Sequence, residues 1–270
     1  MKTINLGQID LSFHHASAGI YIYLLEHFGY KVAVKSAKHE AMFDQFIAGE
    51  VDLLLSAWLP GSHSKYLENF SQYEKLSVIY EPYCIWGVST QVSDTAVHQI
   101  QDLSDPAVAQ QFNKLIQGIN EGAGISRFSR EIVAKYGLDK QGFHFENGSL
   151  KTCIDTFVAA EKANEWAIIP LWHPQYIHHQ LKIRELKDPE NLLRGVDQAT
   201  TLIRKDSALF DQEALIQILR KIYLGNDVIS EIDYYINIEQ LSPLKATQKW
   251  VQKQFGDIEQ YIAHLKNQEV

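Results

Sequence analysis

The chain has 270 residues, 46% of them hydrophobic, enough to bury a sizeable core in one large domain or two of ordinary size. Its 25 Lys and Arg stand against 33 Asp and Glu, a formal net charge of −8. That balance argues against nucleic acid, whose binding draws on a basic face, and against an anionic membrane surface. Acidity mildly favours a cationic ligand, but its main meaning is solubility.

No apolar run reaches the length of a membrane span. The opening residues, Met1 to Gly7, read as a first strand and turn rather than as the basic-then-apolar pattern of a secretion signal. Two alternatives stay open: an export signal trimmed and replaced by Met1, or a protein kept in the cytoplasm. Ile4–Ile9 alternates like a strand. Residues 16–28 carry Ala16, Ile20, Tyr23, Leu24 and Phe28 at helical spacing, and Gly29 is a plausible stop. Lys31–Lys35 is a strand, 39–49 a helix ending at Gly49, and Val51–Leu55 a short apolar strand. Such a β-α-β-α-β start implies a parallel sheet with right-handed crossovers.

Ser77–Tyr80 and Tyr83–Ser89 are strand-like, and then the alternation restarts. A helix over 106–113, a strand over Lys114–Ile119, a glycine turn and a helix over 125–136 come first. A strand over Phe143–Glu146, a helix over 149–163 and a strand over Trp166–Leu171 complete a second α/β unit. Ala199–Ile203 is again strand-like, and the tail from Asp211 is helical. Its apolar stripes are Leu215, Ile218, Leu219, Ile222 and Tyr223, then Trp250, Val251 and Phe255, and the Tyr234–Tyr235 pair reads as core. The simplest arrangement returns this tail to the first unit. Residues 1–88 with 200–270 then form one lobe and 89–199 the other. Cys84 and Cys153 lack metal or redox spacing; one disulfide between them stays open, and two buried free thiols are the expectation.

There is no phosphate loop, nucleophile elbow or HExxH, so no cofactor and no catalytic residue is assigned. Three segments carry binding chemistry instead. In Ala57-Trp58-Leu59-Pro60-Gly61-Ser62-His63, a tryptophan follows an apolar strand and Pro-Gly displays it on a turn, where ligands of open α/β sheets bind. Pro170-Leu171-Trp172-His173-Pro174 repeats that arrangement in the second unit. Opposed indole faces across a cleft would bind a cation through their ring quadrupoles, as aromatic cages bind quaternary ammonium groups. The third segment, Gly122-Ala123-Gly124-Ile125-Ser126-Arg127, bares backbone N–H groups at a helix start, a site for an anion such as a carboxylate, with Ser126 and Arg127 as further donors. The alternative for each segment is structural: a tryptophan closing a core edge, a tight turn, an arginine on a solvated face.

The strings AWLPGSH, GAGISR and PLWHP, flanked by LGQIDLSF at 6–13 and ATTLIRKD at 199–206, resemble the signature segments of the glycine betaine/choline/proline betaine family of ABC-transporter substrate-binding proteins. The resemblance implies an α/β, two-lobed periplasmic-binding-protein (type II) fold, each lobe a mixed, mainly parallel sheet flanked by helices, closing by hinge motion. It implies a monomeric receptor for a small quaternary-ammonium or zwitterionic ligand, partnered by an ABC permease and placed in the periplasm or at the cell surface. Trp58 and Trp172 would belong to the aromatic cage, and Asp10 would offset the ligand's charge. The N–H groups around Gly122, Gly124, Ile125 and Ser126 would take a carboxylate. Where the family has Gly-Trp-x-Asp, this chain has Gly7-Gln8-Ile9-Asp10. Gln8 therefore replaces a cage wall, and Phe13, His14, Tyr83 and Trp86 are candidates to supply it. Glutamine's amide suits a ligand with hydrogen-bonding groups.

Of eleven histidines, His14-His15 and His173 with His178-His179 are the dense spots. Neighbours on a helix point apart and no carboxylate or cysteine spacing accompanies them, so no metal site is assigned. His14 would hydrogen-bond the ligand and His63 would brace its loop. Two other readings stay open: a cytoplasmic enzyme on the same scaffold with Asp10, His14 and Glu121 as acid–base candidates, and a cytoplasmic ligand sensor.

Overall fold

The computed structural model describes residues 2–268; Met1 and the side chain of His179 lie outside the described residues. The chain runs β1 (Thr3–Ile9), α1 (Ser12–His27), β2 (Lys31–Ala37), α2 (His39–Ile47), β3 (Leu53–Leu59), β4 (Tyr73–Tyr80) and β5 (Tyr83–Ser89). It continues with α3 (Pro106–Ala109), β6 (Leu115–Gln117), α4 (Gly124–Lys135), β7 (His144–Glu146), α5 (Leu150–Lys162), β8 (Ile168–His173) and β9 (Ile183–Glu185). It ends with β10 (Gln198–Arg204), α6 (Glu213–Arg220), α7 (Gly225–Asn237), α8 (Pro243–Phe255) and α9 (Ile258–Asn267). Among the described residues, no helix is long and apolar enough to cross a membrane.

Two compact units emerge: Met1–Pro82 with Pro174–Tyr176 and Asp197–Val270, and Tyr83–His173 with Ile177–Val196. The first holds a sheet in the order β2-β1-β3-β10-β4. β1 pairs in parallel with β2 and β3, as the alternation of strand and helix requires, whereas β10 runs antiparallel between β3 and β4. Every residue of β3 is buried, since it lies between two strands with both faces covered.

Helix α1 is apolar almost all round, burying Phe13, Ala16, Ile20, Tyr21, Leu24 and Leu25. A helix of that pattern needs cover on every side, and α1 packs on the sheet and against α7 and α8. Tyr21 crosses the interior to share hydrogen bonds of 2.6 Å with both Ser77 and Thr201, and burial pushes its phenol up to about 12. Gly29 ends the helix with φ +84°, the left-handed conformation that glycine adopts freely. Beneath the other face of the sheet, Ile9, Leu54, Ala57 and Leu202 pack with Met42, Phe43 and Phe46 of α2.

The second unit contains a three-stranded antiparallel sheet, β8-β5-β9, and a parallel pair, β6-β7. Helices α4 and α5 pack on β8. Strand β9 is three residues, too short and too polar for its pattern to announce it. The helix anticipated over 106–113 shrinks to Pro106–Ala109, because Asn113 bonds across to Trp166 through its backbone N–H. Tyr223 leaves the apolar stripe: it lies past the end of α6, is 55% exposed, and donates its hydroxyl to Glu81. Tyr235 is buried and Tyr234 half-buried. Cys84 and Cys153 are buried free thiols, and burial pushes the Cys153 thiol up to about 12.

Gly19 sets the approach of α1 to α8. A Cβ there would sit 2.1 Å from Thr247 Oγ1 and 2.6 Å from the Pro243 carbonyl oxygen, and the latter is backbone that cannot rotate away. Gly19→Ala is therefore expected to lower stability by about 1–3 kcal/mol despite alanine's better helix propensity. A urea-unfolding midpoint equal to or above the wild type's would contradict this close approach.

Candidate functional site

Trp58 is the point from which the first unit's site is built. The anticipated turn position is corrected: β3 continues through Leu59, and Trp58 sits inside the strand, opposite Ala199 of β10. The apolar run Val51–Leu55 stops at Ser56 in sequence, but β10 supplies a second ladder that carries the strand past it. The partner register slips between Thr200 and Leu202, so Leu55 and Ser56 face a single residue, and Ser56 takes φ +50°. This bulge re-aims the strand end. Trp172 is corrected in the same way. It lies within β8, paired antiparallel with Cys84, so neither indole follows the end of a parallel strand.

Four of the side chains that hold Trp58 are Tyr80, His63, Phe13 and His14. Its indole N–H donates to Tyr80 Oη at 2.9 Å, and Tyr80 in turn donates to Ser56 Oγ at 3.3 Å. Ser56 Oγ also meets His14 Nδ1 in a short hydrogen bond. At the backbone, Trp58 N–H donates to His63 Nδ1 at 2.9 Å, and His63 N–H returns a bond to the Trp58 carbonyl at 2.9 Å. His63 thus braces the turn, and its ring stacks on Trp58 at 6.2 Å and 25°. Phe13 packs on Trp58 at 5.4 Å and His14 at 6.0 Å. His39 adds a third imidazole, edge-on to His63 at 5.4 Å. Asp197 closes the turn by accepting the N–H groups of Gly61 and Ser62 at 2.5 and 3.0 Å.

The structure thus gathers Phe13, His14 and Trp58 in one nest. Gln8 and Asp10 belong to a different group. Gln8 is buried and donates its amide to Ser36 Oγ at 3.4 Å, while its Oε1 is buried without a partner. Ser36 Oγ also contacts His15 Nε2 at 3.3 Å, and His15 Nε2 lies 3.6 Å from Asp10. The Asp10 side chain is 66% exposed, so solvent screens its charge.

In the second unit, Trp172 is buried and its carbonyl oxygen meets His178 Nε2 at 3.0 Å. His178 stacks on His173 at 3.6 Å, and Tyr83 stacks on His173 at 4.9 Å. Glu185 Oε1 receives His173 at 3.2 Å and the Tyr83 hydroxyl at 3.4 Å; the His173 hydrogen bond holds its carboxyl below the usual range. Trp86 is fully buried, its indole N–H donated to Ser129 Oγ at 2.9 Å. Gly122 precedes α4, whose first turn is Gly124, Ile125 and Ser126. Two anticipated side-chain donors are committed elsewhere: Ser126 Oγ donates to the Ile119 carbonyl and Arg127 to the Gly122 carbonyl. The N–H groups of the first turn, which have no intrahelical acceptor, are what the segment offers an anion.

Sequence reasoning missed Ser56, Tyr80 and Asp197. Tyr80, an aromatic at a strand end, had a signal of the same kind as Trp58. Ser56 and Asp197 had none, because a bulge residue and a turn clamp 135 residues or more away from its partners are created by tertiary pairing.

This is the fold of the two-lobed substrate-binding proteins. Lactococcal OpuAC, solved closed and liganded with glycine betaine, superimposes with TM-score 0.84 at 19% identity, covering 98% of this chain and 99% of that one. The glycine betaine/L-proline-binding protein ProX of Borrelia burgdorferi gives 0.83 at 21% identity, with 98% and 100% covered. The chain belongs to the family described as the substrate binding domain of ABC-type glycine betaine transport systems, whose model matches residues 2–253. The glycine betaine/carnitine transport binding protein GbuC of Listeria monocytogenes is 24% identical over 144 residues, 53% of this chain and 47% of that protein. The match therefore spans about half the length of that curated relative.

His14 makes the nest sensitive to acid. Burial first, then His63, His39 and His15, lower its affinity for a proton well below that of a free imidazole. An imidazole whose folded-state pKa is depressed binds protons preferentially when unfolded, so its stability contribution is whole above about pH 6.5 and is lost as pH falls from there. Asp233, raised to about 6 by burial, acts in the opposite sense. Comparison with His14→Gln isolates the imidazole: the wild type's stability relative to the variant should shrink steadily as the solution is acidified. Parallel stability–pH curves for the two proteins would show that His14 is not held neutral.

Proposed function

We propose that this chain is the capture component of an ABC importer for small quaternary-ammonium or zwitterionic ligands of the glycine betaine, choline and carnitine type. The observation that carries the reading is the nest around Trp58, in a chain of this family. Tyr80 takes the indole N–H, so the ring's orientation is set, and a π-face of the ring would be the part to meet a ligand. A quaternary ammonium group has no hydrogen-bond donor and is recognised by such faces. Trp172 would contribute a second face, and the first-turn N–H groups of Gly124, Ile125 and Ser126 would meet a carboxylate. Gln8, whose amide oxygen is buried and unpartnered, would favour ligands that also carry a hydrogen-bond donor.

The reading is of a receptor rather than an enzyme. The Ser56–His14 pair has the residue types of a nucleophile and base, but Ser56 is fully buried, and its oxygen already receives Tyr80. It serves to hold Trp58. The partner would be an ABC permease, and the place of action the outer side of the membrane.

A thermal-shift screen with glycine betaine, choline and carnitine tests this. A ligand at 100 times its dissociation constant stabilises by roughly 2.7 kcal/mol, a readily measured shift. Trp58→Ala and Trp172→Ala should each weaken binding of the best ligand by at least ~1–2 kcal/mol by titration calorimetry, the range for desolvated cation–π contacts. Absence of binding by all three compounds, or undiminished affinity in both variants, would overturn the reading.

A further inference from the structure

We infer that His63 is a positioning residue for Trp58 that works only as a neutral imidazole, so that ligand capture is released by acid. The inference rests on Trp58 being a ligand-binding residue. Its structural basis is independent of that. His63 Nδ1 accepts a backbone N–H, that of Trp58, at 2.9 Å. A backbone amide can only donate, so Nδ1 carries no proton and the ring's single proton is on Nε2. Protonation would place an N–H at Nδ1, against the Trp58 N–H, and the bond would be replaced by two donors facing each other.

The consequence falls on a short closed turn. Trp58 and His63 are linked in both directions, by the ring bond and by His63 N–H to the Trp58 carbonyl. Losing the acceptor frees the start of the turn, and the stack of His63 on the indole loosens with it. His63 is 1% exposed, so a proton on it cannot be solvated in place.

Titratable groups face the His63 ring from several elements. From α1 comes His14, from α2 His39, from β4 Tyr80 through Trp58, and from the turn Tyr66. Two of these are imidazoles, which bring no negative charge and would repel a neighbouring cation once protonated themselves, and neither phenol supplies a negative charge near neutral pH. Asp197 receives the N–H groups of Gly61 and Ser62, the two residues before His63. His15 and Asp10 lie beyond His14, paired with each other. A bound cationic ligand would add to the repulsion.

The test uses glycine betaine and choline, whose quaternary nitrogen does not titrate, so any pH slope belongs to the protein. The wild type's dissociation constant should rise on acidification, by up to about tenfold per pH unit once the His63 ring takes up its proton. In His63→Gln, whose side-chain oxygen can still accept the Trp58 N–H but does not titrate, that slope should flatten. His63→Asn provides a second, shorter acceptor should the glutamine variant fold poorly. A merely structural histidine would weaken binding equally at all pH values. The inference is overturned if wild-type affinity stays flat across the pH range over which NMR shows the His63 ring taking up its proton, or if the variants keep the wild-type slope. Ligand-free nitrogen-15 NMR separates this from the binding reading. The Trp58 amide should move with the His63 ring titration and stay still in His63→Gln, even if neither compound binds. A Trp58 amide indifferent to that titration would sink the positioning role by itself.

Discussion

Burying a tryptophan is costly unless its N–H groups find acceptors, and the first unit is arranged around meeting that demand for Trp58. An unpaired buried donor costs on the order of 1–3 kcal/mol. Here the indole N–H goes to Tyr80, Tyr80 goes on to Ser56, and Ser56 meets His14, while the backbone N–H goes to His63. These contacts join β3, β4, α1 and the turn after β3. Each polar atom is satisfied by another element of the same unit, so the ring cannot tilt without disturbing several of them.

That chain of contacts exists because β10 returns. A strand from near residue 200 inserts antiparallel between β3 and β4, extends β3 past Ser56, and forces the bulge that turns Ser56 toward His14. The same return brings Asp197 to the Gly61 and Ser62 amides across more than a hundred residues of intervening chain. The intervening second unit is tied together in its own way, through the Tyr83, His173, His178 and Glu185 cluster beside Trp172.

Buried imidazoles are the recurring device in the nest. His14, His39 and His63 are each buried, and His63 is held as an acceptor by a backbone amide. Burial favours the uncharged ring, which is what an acceptor role requires. A nest that must present a π-face to a cationic ligand is better served by uncharged neighbours than by lysine or arginine. The exposed carboxylate of Asp10, by contrast, lies with His15 and Gln8 in a separate group.

Much of this was legible in the chain. Period-two and helical spacing located β1, α1, β2, α2 and α5 to within a few residues, since local periodicity reports which side of an element is buried. The tryptophans, the glycine turn and the bracing role of His63 followed from residue type and neighbours along the chain. An apolar run ends before each of Trp58 and Trp172, which reads as a turn; whether a strand continues depends on a partner ladder that the run itself cannot reveal. The antiparallel insertion of β10, the Ser56 bulge, the Tyr80 acceptor and the Asp197 clamp belong to tertiary structure alone. They arise where segments far apart in sequence pair, and no local pattern encodes which distant backbone will supply the missing hydrogen bond.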